Sequence, residues 1–256
     1  SSTLIMYWSQ VRVLAGPPRN KMLKKIIDLI IPPILKPSVF YRIINYLIRG
    51  NDKFSYEKNL FKRQSFINRA INKFPNCNYL EIGVADDAVF KTIPLKIGNK
   101  IGVDPAEGGT HRMTSDQFFK DNTKKFNVVF IDGLHEYEQC QKDCINSLKY
   151  LENNGVILFH DFLPKNSLEE KVPRSKFSIA WSGNVWKVAV ELMHSKNMEF
   201  KIINIDRGIG ILKPKENYEY IKMEELKNKN FKDFIDKYFK ELPIVNSNEG
   251  LDFIDK

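Results

Sequence analysis

Short apolar runs alternate along the chain with segments whose apolar residues recur every three or four positions. The runs predict buried strands, and the longer segments between them predict helices. The predicted strands are NYLEIGV (78–84), KIGVD (100–104), FNVVFID (126–132), GVILFHD (155–161) and a closing pair, EFKIINIDRGIGILKP (199–214). The clearest helical patterns between them are EYEQCQKDCINSLKYL (136–151) and WKVAVELMHS (186–195).

This order of elements is typical of a parallel sheet covered by helices on both faces. We expect an α/β fold, a Rossmann-like doubly wound and mostly parallel seven-stranded sheet with a terminal antiparallel hairpin and additional N-terminal helices. The expected organisation is a non-native or disordered leader at 1–21, an amphipathic helical segment at 22–55, a main domain at 56–215 and a Lys/Glu-rich helical extension at 216–256.

The N-terminal segment carries two amphipathic patterns before a third helix, predicted over about 56–74. The first pattern spans 23–31 and ends at a Pro-Pro pair, and the second spans 40–48 and ends at a glycine. Neither is long enough to cross a bilayer. Two interpretations stay open for residues 22–50: peripheral contact with an anionic membrane surface, or packing on the body or on a second copy of the chain. Residues 1–21 resemble translated upstream DNA, so we expect the natural start at Met22.

Charge is concentrated at one end of the chain. Of the net charge of +9, residues 1–50 contribute +7 and the other 206 residues only +2. A nucleic-acid enzyme usually keeps basic surface around its catalytic groove, so the body is not an obvious polyanion binder. The three cysteines, Cys77, Cys140 and Cys144, have no paired spacing. This disfavours a disulfide framework or a zinc site, and we expect a reducing, cytoplasmic compartment.

Polar residues end four successive predicted strands. They are Glu81 with Gly83, Asp104, Asp132 with His135, and His160 with Asp161. Ligands of open parallel sheets bind at the carboxyl ends of the strands. The four polar strand ends therefore predict one ligand-binding edge.

The glycine pattern of this edge indicates the kind of cofactor. Asp104 lies 21 positions beyond Gly83, a spacing at which an acid accepts hydrogen bonds from ribose hydroxyls. A dinucleotide site needs G-x-G-x-x-G so that the backbone can approach a pyrophosphate. This chain has EIGVADD instead. S-adenosylmethionine has a ribose and no phosphate, so it satisfies the pattern.

The segments LEIGV, GVDP, FIDGLHEYEQ, GVILFHDFLP, WSGNVWK and DRGIGIL together resemble class I S-adenosylmethionine-dependent methyltransferases. Within that class they resemble the sugar and natural-product O-methyltransferases, over about 56–212. The resemblance implies that Glu81 and Gly83 lie under the methionine part of the cofactor and that Asp104 holds the ribose. Asp87 stands where the family usually has a second glycine, and this departure bears on cofactor affinity.

The resemblance also implies that Ser115 and Asp116, opening a helix after the third strand, lie near the adenine. For Asp116, capping of that helix is the alternative interpretation. Asp132 would lie beside both the sulfonium and the acceptor.

A hydroxyl acceptor must lose a proton during methyl transfer, and a histidine can take it. We expect His135 to be the general base, with His160 as the other candidate. His160 and Asp161 are adjacent, so strand alternation predicts that only one of them faces the cleft. Asp132 and Asp161 would position the acceptor or bind Mg²⁺ or another divalent cation. Related metal-dependent enzymes have a second acid or amide after the later acid, and Phe162 stands there.

The long segment LPKNSLEEKVPRSKFSIAWSGNVW follows the fourth predicted strand. Loops of this length are more often functional than idle. We expect Trp181 and Trp186 to stack on a ring of the acceptor and Asn184 to bind its hydroxyls, with a core position as the alternative for Trp186.

The sequence thus predicts an S-adenosylmethionine-dependent O-methyltransferase whose acceptor is a small hydroxyl compound, a sugar or sugar-linked metabolite. Two alternatives belong to other classes. A nucleic-acid methyltransferase is suggested by the total charge, and a non-catalytic binding protein with the same fold is suggested by Asp87.

Overall fold

A computed structural model describes residues 37–48, 50–58 and 60–256. The predicted leader, Met22 and the first predicted amphipathic helix lie outside these residues. The sheet has seven strands in the order β2-β1-β3-β4-β6-β5-β7. They are β1 (Tyr79–Ile82), β2 (Lys100–Val103), β3 (Phe126–Ile131), β4 (Leu151–Phe159), β5 (Lys196–Ile203), β6 (Ile209–Glu219) and β7 (Ile244–Val245).

The pairing of the strands confirms the predicted fold class. Strands β1, β2, β3 and β4 pair in parallel, β6 inserts antiparallel between β4 and β5, and β7 pairs in parallel with β5. The β5–β6 hairpin is the predicted terminal hairpin.

The helix that begins at Ser115 was expected after the third strand, but it lies between β2 and β3. After β2 the chain makes only an isolated bridge between Val103 and His111 and enters a helix at Ser115. The sheet reaches seven strands because the C-terminal segment supplies β7. Residues 216–256, expected to be helical, thus also extend the sheet.

Eight α-helices surround the sheet in the described residues. They are α1 (Pro37–Ile48), α2 (Arg63–Ile71), α3 (Ser115–Asp121), α4 (Tyr137–Lys149), α5 (Ser167–Glu170), α6 (Trp186–His194), α7 (Phe231–Asp236) and α8 (Ser247–Asp255). Short 3₁₀ helices occur at Phe90–Thr92, Ile97–Asn99, Glu224–Asn228 and Tyr238–Lys240. Helix α1 coincides with the second amphipathic pattern and exposes Ile43, Tyr46 and Leu47. No helix in the described part of the chain is long and apolar enough to cross a membrane.

Helix α2 is shorter than the 56–74 predicted, and this difference matters for the site. The described residues between α1 and Arg63, 50–58 and 60–62, are not helical. They bond across the sheet edge, where the Glu57 amide donates to the Asn204 carbonyl at 2.7 Å and the Tyr56 hydroxyl donates to the Leu163 carbonyl at 2.6 Å. The segment is therefore an extended strap that delivers the start of α2 to the strand ends.

The two faces of the sheet bury two separate apolar clusters. Leu80 and Ile82 of β1 belong to one cluster, which includes side chains of α4 and α6. Tyr79 belongs to the other, which includes side chains of α2 and α8. Successive strand residues point to opposite faces, so a strand buried on both sides reads as a continuous apolar run. This explains why the runs in the sequence predict the strands.

Candidate active site

The ends of β3 and β4 bring an aspartate pair and a histidine together. His160 Nδ1 lies 3.1 Å from Asp132 Oδ1 and 2.8 Å from Asp161 Oδ2. The prediction that His160 and Asp161 diverge is therefore wrong. Asp161 follows the last residue of β4 by two positions and has φ 68°. A left-handed residue breaks the strand alternation and turns its carboxylate back toward the preceding histidine.

His135 joins this cluster through its second ring nitrogen. Its Nδ1 lies 2.9 Å from the Trp181 carbonyl oxygen. A carbonyl only accepts, so Nδ1 carries a proton. Nε2 then faces the carboxylates, 3.5 Å from Asp132 Oδ1 and 3.4 Å from Asp161 Oδ2. The Trp181 ring stacks on the imidazole with centroids 4.9 Å apart. The backbone thus fixes the tautomer and aims Nε2 at the acidic pair.

Two arginines complete the cluster, and the sequence analysis identified neither. Arg63, the first residue of α2, places NH1 2.6 Å from Asp132 Oδ2 and Nε 2.7 Å from Asp206 Oδ2. Arg207 places Nε 2.7 Å from Asp161 Oδ1. Asp206 and Arg207 have φ 42° and 63°, conformations that functional sites often hold at a cost. The DRG triplet of the hairpin was a signal for Asp206 and Arg207, whereas nothing local marks Arg63.

Charge pairing decides the protonation of these buried groups. Burial raises the pKa of Asp132, but His160, His135 and Arg63 hold it well below its ordinary value. Burial lowers the pKa of His160, but the carboxylates of Asp132 and Asp161 raise it well above its ordinary value. The pKa of His135 is also raised, because Asp161 and Asp132 outweigh the opposing effect of burial. The cluster therefore holds anionic aspartates against Arg63 and His160, and its carboxylates make His135 a stronger base.

The turn after β1 requires glycine. Gly83 has φ 83°, and a Cβ at this position would lie 2.2 Å from the Asp132 carbonyl oxygen. The turn therefore packs directly on the end of β3. Glu81, two residues earlier, is buried and accepts from the Tyr79 hydroxyl at 2.7 Å. Burial raises the pKa of Glu81 to about 8, although the bond from Tyr79 opposes the shift.

Asp104, at the end of β2, connects two strand-end loops. Its Oδ2 accepts from the Ala85 amide at 3.0 Å, and its Oδ1 accepts from the amides of Ala106 and Glu107 at 2.7 and 3.0 Å. A carboxylate has about four lone-pair positions, so three of them are occupied. Asp104 is at the predicted strand end and, in this structure, organises the loops beside it.

Asp87 adopts the backbone conformation that a glycine would favour. Its φ is 64°, and aspartate is one of the few residues that tolerate the left-handed region. Its Oδ1 accepts from the Gly109 amide at 2.7 Å, and its Oδ2 pairs with Lys91 at 3.2 Å. The substitution for the family glycine therefore preserves the turn and adds a bond to the next loop.

Ser115 and Asp116 face α4. Gln139 of α4 donates to Ser115 Oγ at 3.2 Å and to Asp116 Oδ1 at 3.1 Å. The N-cap of α3 is Thr114, which forms a capping box with Gln117. The capping role considered for Asp116 is therefore wrong. A role of Ser115 and Asp116 near the adenine stays a prediction.

The three predicted substrate contacts have different surroundings. Trp181 is half-buried over His135. Asn184 Oδ1 accepts from the Tyr137 amide at 2.7 Å and so caps the start of α4. Trp186 is fully buried and its Nε1 donates to Glu170 at 3.2 Å. The prediction of a substrate contact at Trp186 is wrong, because its ring belongs to the core.

A cavity of about 540 Å³ borders the cluster on the side of Arg63 and Asp206. The strap residues, the loop after β1 and the β5–β6 turn line it. Its lining residues are Tyr56, Glu57, Phe61, Lys62, Arg63, Gln64, Ala88, Val89, Ile205 and Asp206. The cavity combines aromatic rings with charged and amide groups.

The metal prediction at Asp132 and Asp161 has partial geometric support. One ligand atom each from Asp132, His135 and Asp161 lie within 4.8 Å of one another. Each of the two carboxylates, however, already contacts an arginine and His160. The acids are close enough to share an ion, but they are already neutralised by the protein.

The central part of the chain is similar to a known protein family. Residues 102–162, from β2 to just past β4, match the family model described as a methyltransferase domain. This confirms the resemblance to methyltransferases found in the sequence, over the segment that supplies Asp104, Asp132, His135, His160 and Asp161. No curated protein matches the sequence.

Solved structures are similar to this chain at low sequence identity. An O-methyltransferase from Bacillus cereus in complex with SAH is 12% identical, with a TM-score of 0.45, over 75% of this chain and 96% of that chain. A SAH-bound methyltransferase from Podospora anserina is 14% identical, with a TM-score of 0.45, over 79% of this chain and 99% of that chain. Likeness at this level carries no information about the acceptor.

Proposed function

We propose that the protein is an S-adenosylmethionine-dependent O-methyltransferase that acts on a hydroxyl of a small molecule, a sugar or sugar-linked metabolite. The observation that carries the proposal is the cluster of Asp132, His135, His160 and Asp161 at the ends of β3 and β4. It joins an oriented imidazole to two carboxylates within the segment that matches a methyltransferase domain.

The cofactor edge fits a cationic ligand with a ribose. Asp87 and Asp104 lie beyond the ends of β1 and β2, where their carboxylates would repel a pyrophosphate, and Glu81 lies within β1 with its carboxyl buried. S-adenosylmethionine carries a sulfonium and an ammonium against one carboxylate, so acidic surroundings favour it. The ribose would use the remaining acceptor position of Asp104 and exchange one of the amide bonds that Asp104 now makes.

When bound, S-adenosylmethionine supplies an electrophilic methyl group on its sulfonium sulfur. The side chains of the cluster orient the acceptor hydroxyl and take up its proton. His135 accepts the hydroxyl proton of the acceptor at Nε2, because Nδ1 is committed to the Trp181 carbonyl. Asp132 and Asp161 orient the hydroxyl and stabilise the imidazolium that forms. Most of the rate comes from holding the oxygen in line with the methyl carbon.

The cavity beside Arg63 and Asp206 supports a polyhydroxylated acceptor. Its charged and amide groups can bind several hydroxyls, while the rings of Tyr56 and Phe61 offer apolar faces for a pyranose. Trp181 stacks on His135 and is not among the residues that line this cavity. We place the acceptor ring in this cavity, with the reacting hydroxyl directed toward His135.

The test is transfer of labelled methyl groups from S-adenosylmethionine to a panel of monosaccharides, nucleotide-linked sugars, catechols and RNA. We expect methylation within the sugar set and a loss of turnover in His135→Ala of about 10²–10⁴-fold, the usual contribution of a general base. The matched control is His194→Ala, since His194 is exposed at the end of α6 and should leave turnover unchanged. Methylation confined to RNA or catechols would contradict the sugar assignment, and full activity of His135→Ala would contradict its role as base.

A further inference from the structure

The space between the two strand-end carboxylates is already filled by an imidazole. His160 Nδ1 is within 3.1 Å of Asp132 Oδ1 and 2.8 Å of Asp161 Oδ2, and the side chain of His160 is completely buried. This is the position from which a single cation can contact both acids at once. A hydrogen on Nδ1 of His160 can donate to both carboxylates from this position.

The outer oxygens of the same carboxylates are also paired. Arg63 NH1 contacts Asp132 Oδ2 at 2.6 Å, and Arg207 Nε contacts Asp161 Oδ1 at 2.7 Å. All four oxygens of the pair therefore face a positive or proton-bearing group. A bound divalent cation needs oxygens that are free to coordinate it, so one or more of these contacts would have to break.

Two permanent positive charges already face the acids of the cluster. Asp132, Asp161 and Asp206 supply three negative charges, and Arg63 and Arg207 supply two positive charges in direct contact with them. A divalent cation would have to share these carboxylates with both guanidinium groups, and placing further positive charge beside them in a largely buried site is unfavourable.

Phe162, the residue after Asp161, cannot supply another ligand for an ion. Phe162 is fully buried, stacks on Phe159 with centroids 5.0 Å apart and meets Phe200 edge-on. It is part of the core and has no atom that could coordinate an ion. Among the described residues, the only candidate cluster for an ion is the one formed by Asp132, His135 and Asp161.

We infer that His160, Arg63 and Arg207 take the place of a divalent cation at the strand ends, so that the acceptor site of this protein works without a metal ion. The part that concerns the acceptor rests on the proposed function, whereas the part that concerns ion binding does not. Arg63 reaches the site from the strap and Arg207 from the strained hairpin turn. Both are positioning residues that hold the carboxylates in place for His135.

The test is calorimetric titration of the metal-stripped full chain with MnCl₂ and with MgCl₂. We expect no saturable binding by the wild type. His160→Glu removes the imidazole that lies between Asp132 and Asp161 and puts a carboxylate in its place, so it should create a saturable site for one Mn²⁺. Circular dichroism establishes that the variant is folded. If it is not, Arg63→Met, which frees Asp132 Oδ2, replaces it, with the exposed Arg69→Met of the same helix as its control.

Saturable Mn²⁺ binding by the wild type that disappears in Asp132→Asn would overturn the inference. Absence of Mn²⁺ binding in both the wild type and the folded variant would overturn the assignment of His160 or Arg63 as the group that replaces the ion. Titration of the same wild-type sample with S-adenosylmethionine separates this result from the proposed function. Failure to bind the cofactor contradicts the proposed function and leaves the ion result unchanged.

Discussion

Glu81 is a buried ionisable residue next to the proposed cofactor site. Its carboxyl is buried, and burial raises its pKa to about 8, so near pH 7 the group is mostly protonated in the folded protein. Unfolding returns the pKa to the ordinary range of about 4. The folded form therefore loses stability as pH rises from that range through 8, because the carboxylate must then stay buried.

A cationic cofactor beside Glu81 would favour its carboxylate form. We predict that binding of S-adenosylmethionine near pH 7 releases close to one proton and that this release vanishes at about pH 9, where Glu81 is already ionised. Calorimetry in buffers of different ionisation enthalpy measures it. Glu81→Gln should bind without releasing the proton and should be more stable than the wild type at about pH 9. The same proton release from Glu81→Gln would show that another group titrates.

The aspartates and histidines of the cluster could be predicted from the sequence to lie at one edge of the sheet, but the arginines that contact them could not. Asp132, His135, His160 and Asp161 follow apolar runs, and parallel strands bring their carboxyl ends to one edge. Arg63 lies 69 positions before Asp132. Its contact depends on how the strap crosses the sheet, and no local pattern encodes that path. Asp161 turns toward His160 through a positive φ, which is unusual for a residue other than glycine.

At the scale of elements, the loop between α5 and α6 holds His135, the proposed general base. Gly183 has φ 62°, and a Cβ there would lie 1.7 Å from the His135 carbonyl oxygen. This close approach keeps the loop against His135, so that the Trp181 carbonyl can accept from Nδ1 at 2.9 Å. The tautomer of the base therefore depends on a glycine outside the strand ends.

We predict that Gly183→Ala destabilises the protein by about 1–3 kcal/mol through backbone strain. It should also lower turnover, because the loop must retreat from His135. Urea unfolding and methyl transfer are the measurements. Gly98→Ala is the matched control, since a Cβ at Gly98 meets nothing within 4 Å. Equal stability and equal activity of Gly183→Ala and the wild type would contradict the role given to this loop.

The observed bounds of the strands and helices show which elements the hydrophobic pattern of the sequence can predict. The strands of the sheet centre were predictable because burial on both faces makes their sequences continuously apolar. The late start of α2 was not predictable, because it depends on contacts of the preceding segment with distant parts of the chain. β7 is two residues long and has no periodicity from which to predict it.

At the scale of the whole molecule, three segments distant in sequence build the site. The strap and α2 supply Arg63, the central strands supply the aspartates and histidines, and the hairpin supplies Asp206 and Arg207. The C-terminal segment is fixed by buried Glu191 of α6, which accepts from the Tyr220 hydroxyl at 2.5 Å and the Met223 amide at 2.8 Å. The match to a methyltransferase domain covers 102–162, so the strap with α2, and the hairpin, lie outside the matched segment.

The most direct measurement of the central claim is calorimetric titration of the folded protein with S-adenosylmethionine, alongside Asp104→Ala. The account predicts saturable binding at one site per chain and a loss of affinity in Asp104→Ala of about 10-fold or more, since a lost hydrogen bond to a charged group is worth roughly 1.5–3 kcal/mol. Absence of binding by the folded wild-type protein would contradict the assignment as a methyltransferase.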